Sequence, residues 1–239
     1  MQKIELVTFD MAGTTISDKK EVETCFAKAT KQTGLIMIEE EILAVQGWSK
    51  IFVFETFWQK QLGQRNEEWQ QSVNYSFNTF KTILEDHYRN AIIKPTEGCL
   101  ETFEFLKMHN IQIALTTGFY RTVTDIILDK LGWLEGLNEN RVGNSNTIIQ
   151  ASIASDEVEN GRPAPDMIFK AMKLLNISDS KKVINIGDTP SDLQSGKNAN
   201  VLLSLGVING THTVEQLKEI PNDGLLNSIG ALPLVFESN

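Results

Sequence analysis

The chain has 239 residues, 41% hydrophobic and 22% charged, which is ordinary for a globular protein of one or two domains. Its 22 basic and 31 acidic residues give a net charge of −9, and no stripe rich in lysine or arginine occurs, which argues against a nucleic-acid partner. No apolar stretch is long enough for a signal peptide or a membrane span, and neither Cys25 nor Cys99 has metal-binding spacing, so we expect a cytoplasmic protein with no membrane partner.

The first predicted element is a strand that ends at a candidate site residue. Residues 4–9 are rich in β-branched and aromatic side chains, and the glycine and threonines after them are typical of a loop. Asp10 therefore falls at the carboxyl end of this strand, where open α/β sheets bind ligands. An aspartate that only caps a turn would fit the same pattern. The assignment of Asp10 to a functional site therefore depends on whether later segments supply further site residues.

The next part of the chain, residues 16–90, is predicted to form about four helices. Aromatic and apolar residues recur there at helical spacing. Such a stripe can mark a cofactor site, but it usually forms the core of a helix bundle, which we favour. Pro95 marks the exit, because the residue before a proline favours an extended backbone. We predict a helical domain at residues 16–90, inserted into a core of residues 1–15 and 91–239.

Short apolar runs alternate with amphipathic stretches in the rest of the chain. Strands separated by single helices indicate βαβ units, so the expected fold class is α/β with a parallel sheet. The predicted strands cover residues 111–115, 148–154, 183–186 and 201–205. The predicted helices cover residues 98–108, 121–131, 165–175 and 191–198.

Polar residues follow four of the predicted strands, and the carboxyl ends of parallel strands lie on one edge of a sheet. Each residue alone has an ordinary explanation, such as a threonine in a turn, an arginine on a surface or an aspartate that caps a helix. Their joint occurrence predicts a site. The segments are Asp10, Thr116-Thr117-Gly118, Gly161-Arg162-Pro163 and Gly187-Asp188-Thr189-Pro190-Ser191-Asp192.

These side chains suit a metal-assisted reaction at phosphorus. Three carboxylates, Asp10, Asp188 and Asp192, would repel one another without a cation, and oxygen-rich sites suit Mg²⁺. A threonine hydroxyl, an arginine and free backbone N–H groups can hold a phosphoryl or phosphonyl group. Ionised Asp10 is able to attack phosphorus and form an aspartyl-phosphate. Thr189 is expected either to orient Asp188 by a side-chain hydrogen bond or only to end the turn.

The same residues resemble the four motifs of the haloacid dehalogenase superfamily, and the resemblance covers nearly the whole chain. Residues 10–15, with an alanine at position 12, are similar to the phosphonatase branch of that superfamily. Most of its phosphatases have a second aspartate in place of Ala12 and a lysine in place of Arg162, and phosphonatases share the arginine. The resemblance implies a Rossmann-like α/β core with a helical cap, and a hydrolase that acts on a small phosphonate or phosphate.

Roles for single residues also follow from this resemblance. Asp10 would be the nucleophile, Thr117 and Arg162 would hold the transferring group, and Asp192 would orient the metal shell. Gly118 and Phe119 stand where substrate contacts are expected, although core packing explains Phe119 equally well. The implied Mg²⁺ ligands are the Asp10 carboxylate, the Ala12 backbone carbonyl and Asp188.

The alanine at position 12 suggests that a lysine takes part in the reaction. The aspartate that it replaces protonates an alkoxide leaving group, general acid–base work worth about 10²–10⁴ in rate. Cleavage of a carbon–phosphorus bond releases a carbanion instead, which needs an electron sink such as an iminium. Lys50 stands where related phosphonatases have the Schiff-base lysine. A helix N-terminus, with Ser49 as its expected N-cap, and the apolar Trp48 would both disfavour the ammonium form.

Two departures from the phosphonatase pattern keep other functions open. Phosphonatases have a methionine before the glycine that is Gly47 here and a histidine three residues after the lysine, whereas this chain has Gln46 and Val53. Gly47 and Trp48 remain expected substrate contacts. The first alternative is a small-metabolite phosphomonoesterase of the phosphoglycolate phosphatase type, with Lys50 as a substrate contact. The second alternative is a non-catalytic binding domain. Separately, we expect that the protein either forms a homodimer through its aromatic-rich helices or uses them only as a helix-bundle core.

Overall fold

A parallel sheet forms the centre of the computed structural model, which describes residues 3–45 and 48–237. Its strands, in spatial order β3-β2-β1-β4-β5-β6, all run in the same direction. The central strands β1 and β4 are buried along their whole length, which explains their nearly continuous apolar sequences. The strands are β1 (Leu6–Phe9), β2 (Gln112–Thr116), β3 (Ala151–Ile153), β4 (Val183–Gly187), β5 (Leu203–Val207) and β6 (Leu225–Leu226).

The predicted α/β class with a parallel sheet is confirmed, and the strand limits differ where local hydrogen bonds compete with the ladder. The strand predicted at 148–154 is shorter because residues before it form a turn, in which Thr147 Oγ1 donates to the Ile149 carbonyl at 2.6 Å. The strand predicted at 201–205 begins two residues later, since the Val201 N–H still bonds back to Gly196 O in the turn after a helix.

The described part of residues 16–90 forms four helices: α1 (Glu21–Thr33), α2 (Glu39–Ala44), α3 (Lys50–Leu62) and α4 (Glu67–Asn90). The rings of Phe26, Phe54 and Phe80 pack together among α1, α3 and α4 at centroid distances of 4.8–6.0 Å. All three are buried, so the aromatic stripe forms a hydrophobic core, as interpreted from the sequence. Burial of each such ring contributes about 1.5–3 kcal/mol. The assignment of residues 16–90 to a separate cap domain stays a prediction.

The remaining helices flank the sheet: α5 (Cys99–Met108), α6 (Arg121–Lys130), α7 (Asp166–Leu174), α8 (Pro190–Asn198), α9 (Val214–Lys218) and α10 (Leu232–Glu237). The first four of these agree closely with the predicted helices. The sequence reading did not predict α9, α10 or β6, all of which are short. No helix in the described part of the chain is both long and apolar enough to cross a bilayer.

Candidate active site

The strand order brings the predicted site residues together at one edge of the sheet. β1 lies between β2 and β4, and Phe9 is in register with Leu115 on one side and Ile186 on the other. The residues that follow these strand ends therefore become neighbours. Carboxylate oxygens of Asp10, Asp188 and Asp192 lie within 4.8 Å of one another, and all three residues are buried.

The loop after β1 is a tight turn shaped around Asp188. The N–H groups of Thr14, Thr15 and Ile16 all donate to the Met11 carbonyl, at 2.9–3.2 Å. Gly13 adopts φ +90°, and a Cβ added to it would lie 2.3 Å from Asp188 Oδ2. Position 13 therefore needs glycine both for its backbone and for its contact with Asp188.

Asp188 is held by both of its carboxylate oxygens. Thr14 Oγ1 donates to Oδ1 at 3.2 Å, and the Thr211 N–H donates to Oδ2 at 2.7 Å. Sequence reasoning missed Thr211, although it lies in the loop after β5 and thus at the same sheet edge. Gly210 allows the close approach of this loop, because a Cβ there would lie 2.3 Å from the Asp188 Cβ.

Thr189 forms hydrogen bonds with Asp192 and not with Asp188, so the side-chain hydrogen bond to Asp188 considered from the sequence is not the one observed. Thr189 is the N-cap of α8, with Pro190 at the first helical position. Its hydroxyl and its N–H donate to Asp192 Oδ2 at 2.6 and 3.0 Å, and the Asp192 N–H donates back to Thr189 Oγ1. This capping box fixes the rotamer of Asp192 at the start of the helix.

Arg162 joins two of the three carboxylates. Its Nη1 lies 2.5 Å from both Asp10 Oδ1 and Asp192 Oδ1, and its Nη2 donates to the carbonyl and hydroxyl oxygens of Thr116, each at 2.7 Å. The residue is 3% exposed. Buried ion pairs of this kind hold a geometry firmly because their groups cannot exchange partners with water.

The charges at this edge fit a divalent cation. One guanidinium against three carboxylates leaves a local charge of about −2. Burial raises the pKa of Asp10 well above its ordinary value, while Arg162 opposes that rise. Burial also raises the pKa of Asp188 to about 6, with the charge of Asp192 adding to the effect. A hard cation would favour the ionised forms of both groups.

The donor atoms also suit Mg²⁺, which prefers oxygen. Both oxygens of Asp192 are already engaged, by Arg162 and by Thr189, so this residue positions its neighbours. Asp10 uses only Oδ1 in its ion pair. The Ala12 carbonyl accepts no hydrogen bond from the backbone groups of the described residues. Asp10 and the Ala12 carbonyl thus have lone pairs to offer a cation, and so does Asp188, because its hydrogen-bond donors, Thr14 and Thr211, are neutral.

Lys50 faces the same site from the helical segment. It is the first residue of α3 and is 6% exposed. Ser49 occupies the expected N-cap position, but its side chain makes no capping hydrogen bond. Burial lowers the pKa of Lys50 to about 8, with Arg162 adding to the effect and the charges of Asp10 and Asp18 opposing it. At pH 7 a pKa of about 8 leaves about a tenth of this amine uncharged, far more than for an ordinary lysine.

Two adjoining cavities surround Lys50, which lines both together with Gly118. The inner cavity is small, about 30 Å³, and lies at the carboxylates; residues lining it include Asp10, Ala12, Asp18, Lys50, Thr117 and Phe119. The outer cavity measures about 510 Å³ and separates α3 from the loop at 155–164; residues lining it include Phe52, Glu55, Phe77, Tyr120, Asn160 and Arg162.

The other predicted substrate contacts do not all lie at the cavities. Thr117 Oγ1 accepts the Phe119 N–H at 3.1 Å, and the Phe119 ring packs on Tyr88 with centroids 5.5 Å apart. Trp48 stacks on Phe52 and is not among the residues that line either cavity. Gly47 and Gln46 lie outside the described residues.

Comparison with known proteins identifies the family of this chain. The family model described as haloacid dehalogenase-like hydrolase matches residues 7–205. A phosphonoacetaldehyde hydrolase of Bacillus cereus strain G9842 is 28% identical over 223 residues, covering 87% of this chain and 77% of the relative. One from Bacteroides fragilis strain YCH46 is 28% identical over 249 residues, covering 96% and 87%.

Solved structures support the fold alone, because their sequence identities are low. A phosphonoacetaldehyde hydrolase-like protein from Oleispira antarctica superposes with a TM-score of 0.79 at 19% identity, covering 98% of this chain and 92% of that one. A β-phosphoglucomutase from Clostridium difficile gives a TM-score of 0.73 at 17% identity, covering 98% and 96%.

Proposed function

This chain belongs to the haloacid dehalogenase-like hydrolases, and from that premise we propose that it cleaves the carbon–phosphorus bond of a 2-oxoalkylphosphonate such as phosphonoacetaldehyde. The observation that carries the proposal is Lys50, a buried amine of lowered pKa in the same cavity as the carboxylate of Asp10. The curated relatives named phosphonoacetaldehyde hydrolase support the same substrate class.

Lys50 would prepare the substrate for cleavage. Its uncharged amine attacks the carbonyl carbon, and loss of water leaves an iminium two bonds from phosphorus. The iminium then accepts the electron pair of the carbon–phosphorus bond, so the leaving group is a neutral enamine instead of a carbanion. This route requires no acid at position 12, in agreement with Ala12.

Asp10 would receive the phosphoryl group. Its carboxylate oxygen forms a bond to phosphorus as the carbon–phosphorus bond breaks, and water later hydrolyses the aspartyl-phosphate to release phosphate. Arg162 keeps Asp10 in place at 2.5 Å and offers positive charge to the transferring oxygens. The hydroxyl of Thr117, at the end of β2, is a second donor to that group.

Mg²⁺ is the cofactor that this site would use. We propose Asp10, the Ala12 carbonyl and Asp188 as its protein ligands, with Asp192 holding the surrounding groups in position. When bound, the ion would offset the negative charges of the phosphonate and the carboxylates. We further propose that residues 16–90 act as a cap that excludes water, since α3 brings Lys50 to the inner cavity.

Two observations favour the alternative of a small-metabolite phosphomonoesterase. Val53 occupies the place of the proton-shuttling histidine of phosphonatases, and it is fully buried in the hydrophobic core of the helical segment. In that function Lys50 would bind substrate oxygens as an ammonium. The outer cavity of about 510 Å³ would also accept a leaving group larger than acetaldehyde.

Borohydride trapping separates the two functions. The protein is incubated with phosphonoacetaldehyde and reduced, and the adduct is mapped by mass spectrometry. We expect one modified lysine, Lys50, no adduct in Lys50→Arg, and an unchanged adduct in the control Lys60→Arg, which alters an exposed lysine of the same helix. Absence of a Lys50 adduct together with brisk hydrolysis of phosphate esters would overturn the proposal in favour of the phosphomonoesterase.

A further inference from the structure

A carboxyl group that the sequence motifs do not include lies beside Lys50. Asp18 belongs to the segment between the Asp10 loop and α1, is partly buried, and lines the inner cavity together with Asp10, Lys50 and Thr117. Its charge acts on the Lys50 amine. Among the described residues, the hydrogen bonds and ion pairs at this sheet edge join Arg162, and not the Lys50 amine, to Asp10 and Asp192. The amine is therefore free to react, and Asp18 is a carboxyl group within the same small space.

Asp18 is held by the first turn of α1 in a way that lets it keep a proton. Its Oδ1 accepts the Glu21 N–H at 2.8 Å, and the nearby Glu21 carboxyl group raises its pKa. Two carboxyl groups in contact retain one proton between them, because two adjacent negative charges repel. Burial raises the pKa of Asp18 to about 7, whereas the pKa of Glu21 is lowered by its interaction with Asp18. Asp18 is consequently the member of the pair that gains and loses a proton near neutrality.

Asp18 lies near both acidic and basic groups. Besides Glu21 and Lys50, the titratable groups that act on this cluster come from α1, α4 and the loop after β4. They are Cys25, His87, Tyr88 and Asp188. None of them is hydrogen-bonded to Asp18 in the described part of the chain, so Glu21 is the group that shares its proton.

We propose that Asp18 is the proton-transfer residue for the reaction at Lys50, in place of the acid absent at position 12 and of the histidine absent at position 53. This inference rests on the proposed carbon–phosphorus cleavage, and it adds a catalytic residue to that site. Val53 and Ala12 have apolar side chains and transfer no protons, while Asp10 and Asp192 are engaged with Arg162. Asp18 is left as a carboxyl group that lines the inner cavity with Lys50 and is not paired with Arg162 among the described residues.

The proton balance assigns Asp18 three tasks. When the amine has added to the carbonyl, a proton moves from nitrogen to oxygen; Asp18 then protonates the hydroxyl, which leaves as water and gives the iminium. Asp18, reprotonated through Glu21 from solvent, next protonates the enamine carbon left by cleavage of the carbon–phosphorus bond. Finally, the Asp18 carboxylate takes a proton from the water that hydrolyses this second iminium, which frees the aldehyde and the amine.

The test measures imine formation and turnover separately. Asp18→Asn keeps an oxygen that can accept the Glu21 N–H but removes the transferable proton. We expect its initial rate of Lys50 adduct formation with phosphonoacetaldehyde and borohydride to fall about 100-fold or more. Aldehyde release should fall at least as far. Asp86→Asn, an exposed aspartate on α4, serves as the matched control and should retain wild-type rates.

A second variant tests the role of Asp18 even if Asp18→Asn fails to fold. Glu21→Gln leaves Asp18 in place and removes its carboxylate neighbour, so the alkaline limb of the wild-type rate profile, where Asp18 loses its proton, should move to lower pH. Circular dichroism establishes that each variant is folded. If wild-type protein forms no Lys50 adduct, the proposed function fails. If wild-type protein forms it and Asp18→Asn forms it equally fast, or Glu21→Gln leaves the profile unmoved, only the role of Asp18 is overturned.

Discussion

Replacement of Arg162 by methionine tests whether the carboxylates at the sheet edge depend on this guanidinium. The change removes two contacts of 2.5 Å, to Asp10 and Asp192, and two hydrogen bonds to Thr116, while a similar aliphatic stem remains. Loss of one partner of a buried ion pair costs about 3–5 kcal/mol, because the other charge stays buried without compensation. We expect the free energy of unfolding at pH 8, without added metal, to fall by that amount.

The loss of unfolding free energy in Arg162→Met should depend on pH. Burial already raises the pKa of Asp10 in the folded protein, and removal of Arg162 raises it further. A carboxyl group whose pKa is higher in the folded than in the unfolded state binds a proton on folding, so the variant regains stability as the pH falls. The regain is at most about 1.4 kcal/mol per pH unit for one carboxyl group. The deficit of Arg162→Met should therefore shrink as the pH falls, by up to about 1.4 kcal/mol per pH unit, over the range in which Asp10 is protonated in the folded variant but not in the folded wild type.

Urea unfolding at pH 8, 7 and 6 measures both effects. Arg89→Met is the matched control, because Arg89 pairs with Glu85 and Asp86 on the exposed surface of α4. Exposed pairs contribute about 0–1 kcal/mol, so the control should lose little at any pH. A deficit for Arg162→Met that stays below about 1 kcal/mol, or that does not change with pH, would refute the reasoning.

Three further predictions concern the amine, the turn and the metal. The initial rate of Lys50 adduct formation should rise towards about pH 8 as the amine becomes neutral, because burial lowers its pKa, and should fall at higher pH as Asp18 loses the proton that it donates; a rise that continues towards pH 10 would contradict this. Gly13→Ala should destabilise the protein by at least about 1–3 kcal/mol in thermal unfolding and weaken Mg²⁺ binding in calorimetry, because its φ is +90° and the added Cβ meets Asp188 Oδ2. Saturating Mg²⁺, at about 100 times its Kd, should stabilise the wild type by about 2.7 kcal/mol, or roughly 5–10 °C in Tm, and should leave Asp188→Asn unchanged. Equal stabilisation of that variant would show that Asp188 is not a ligand.

The parts of the fold that could be predicted are those with strong local patterns. β4 and α8 follow from an apolar run, a glycine and a capping threonine followed by proline, and Asp188 and Asp192 are placed by these elements. The parallel order then brings Asp10 to the same edge. Arg162 was also found, because its segment follows a strand and is rich in loop-forming residues.

The residues that escaped prediction are positioned by contacts between distant segments. Thr211 acts through its backbone N–H, which any residue except proline would supply, so its side chain carries no signal of that contact. Asp18 resembles an ordinary aspartate ahead of a helix, and only the packing of α3 against the core places it near Lys50. β6, which has two residues, is too short for its alternation of side chains to be read.

Ala12 and Lys50 are linked through electrostatics as well as through the reaction. Ala12 lines the inner cavity with Lys50, and the carboxylates of Asp10 and Asp18 already hold the pKa of this lysine above the value that burial alone would give. A further carboxylate about 6 Å from the amine would favour the ammonium by about 3 kcal/mol at an effective dielectric constant near 20, which corresponds to about two pKa units. An aspartate at position 12 would thus return Lys50 to an ordinary, fully charged lysine at neutral pH. In the proposed reaction the missing acid is therefore a condition for the reactive amine, and the proton transfers move to Asp18, whose pKa burial and the neighbouring Glu21 carboxyl group raise.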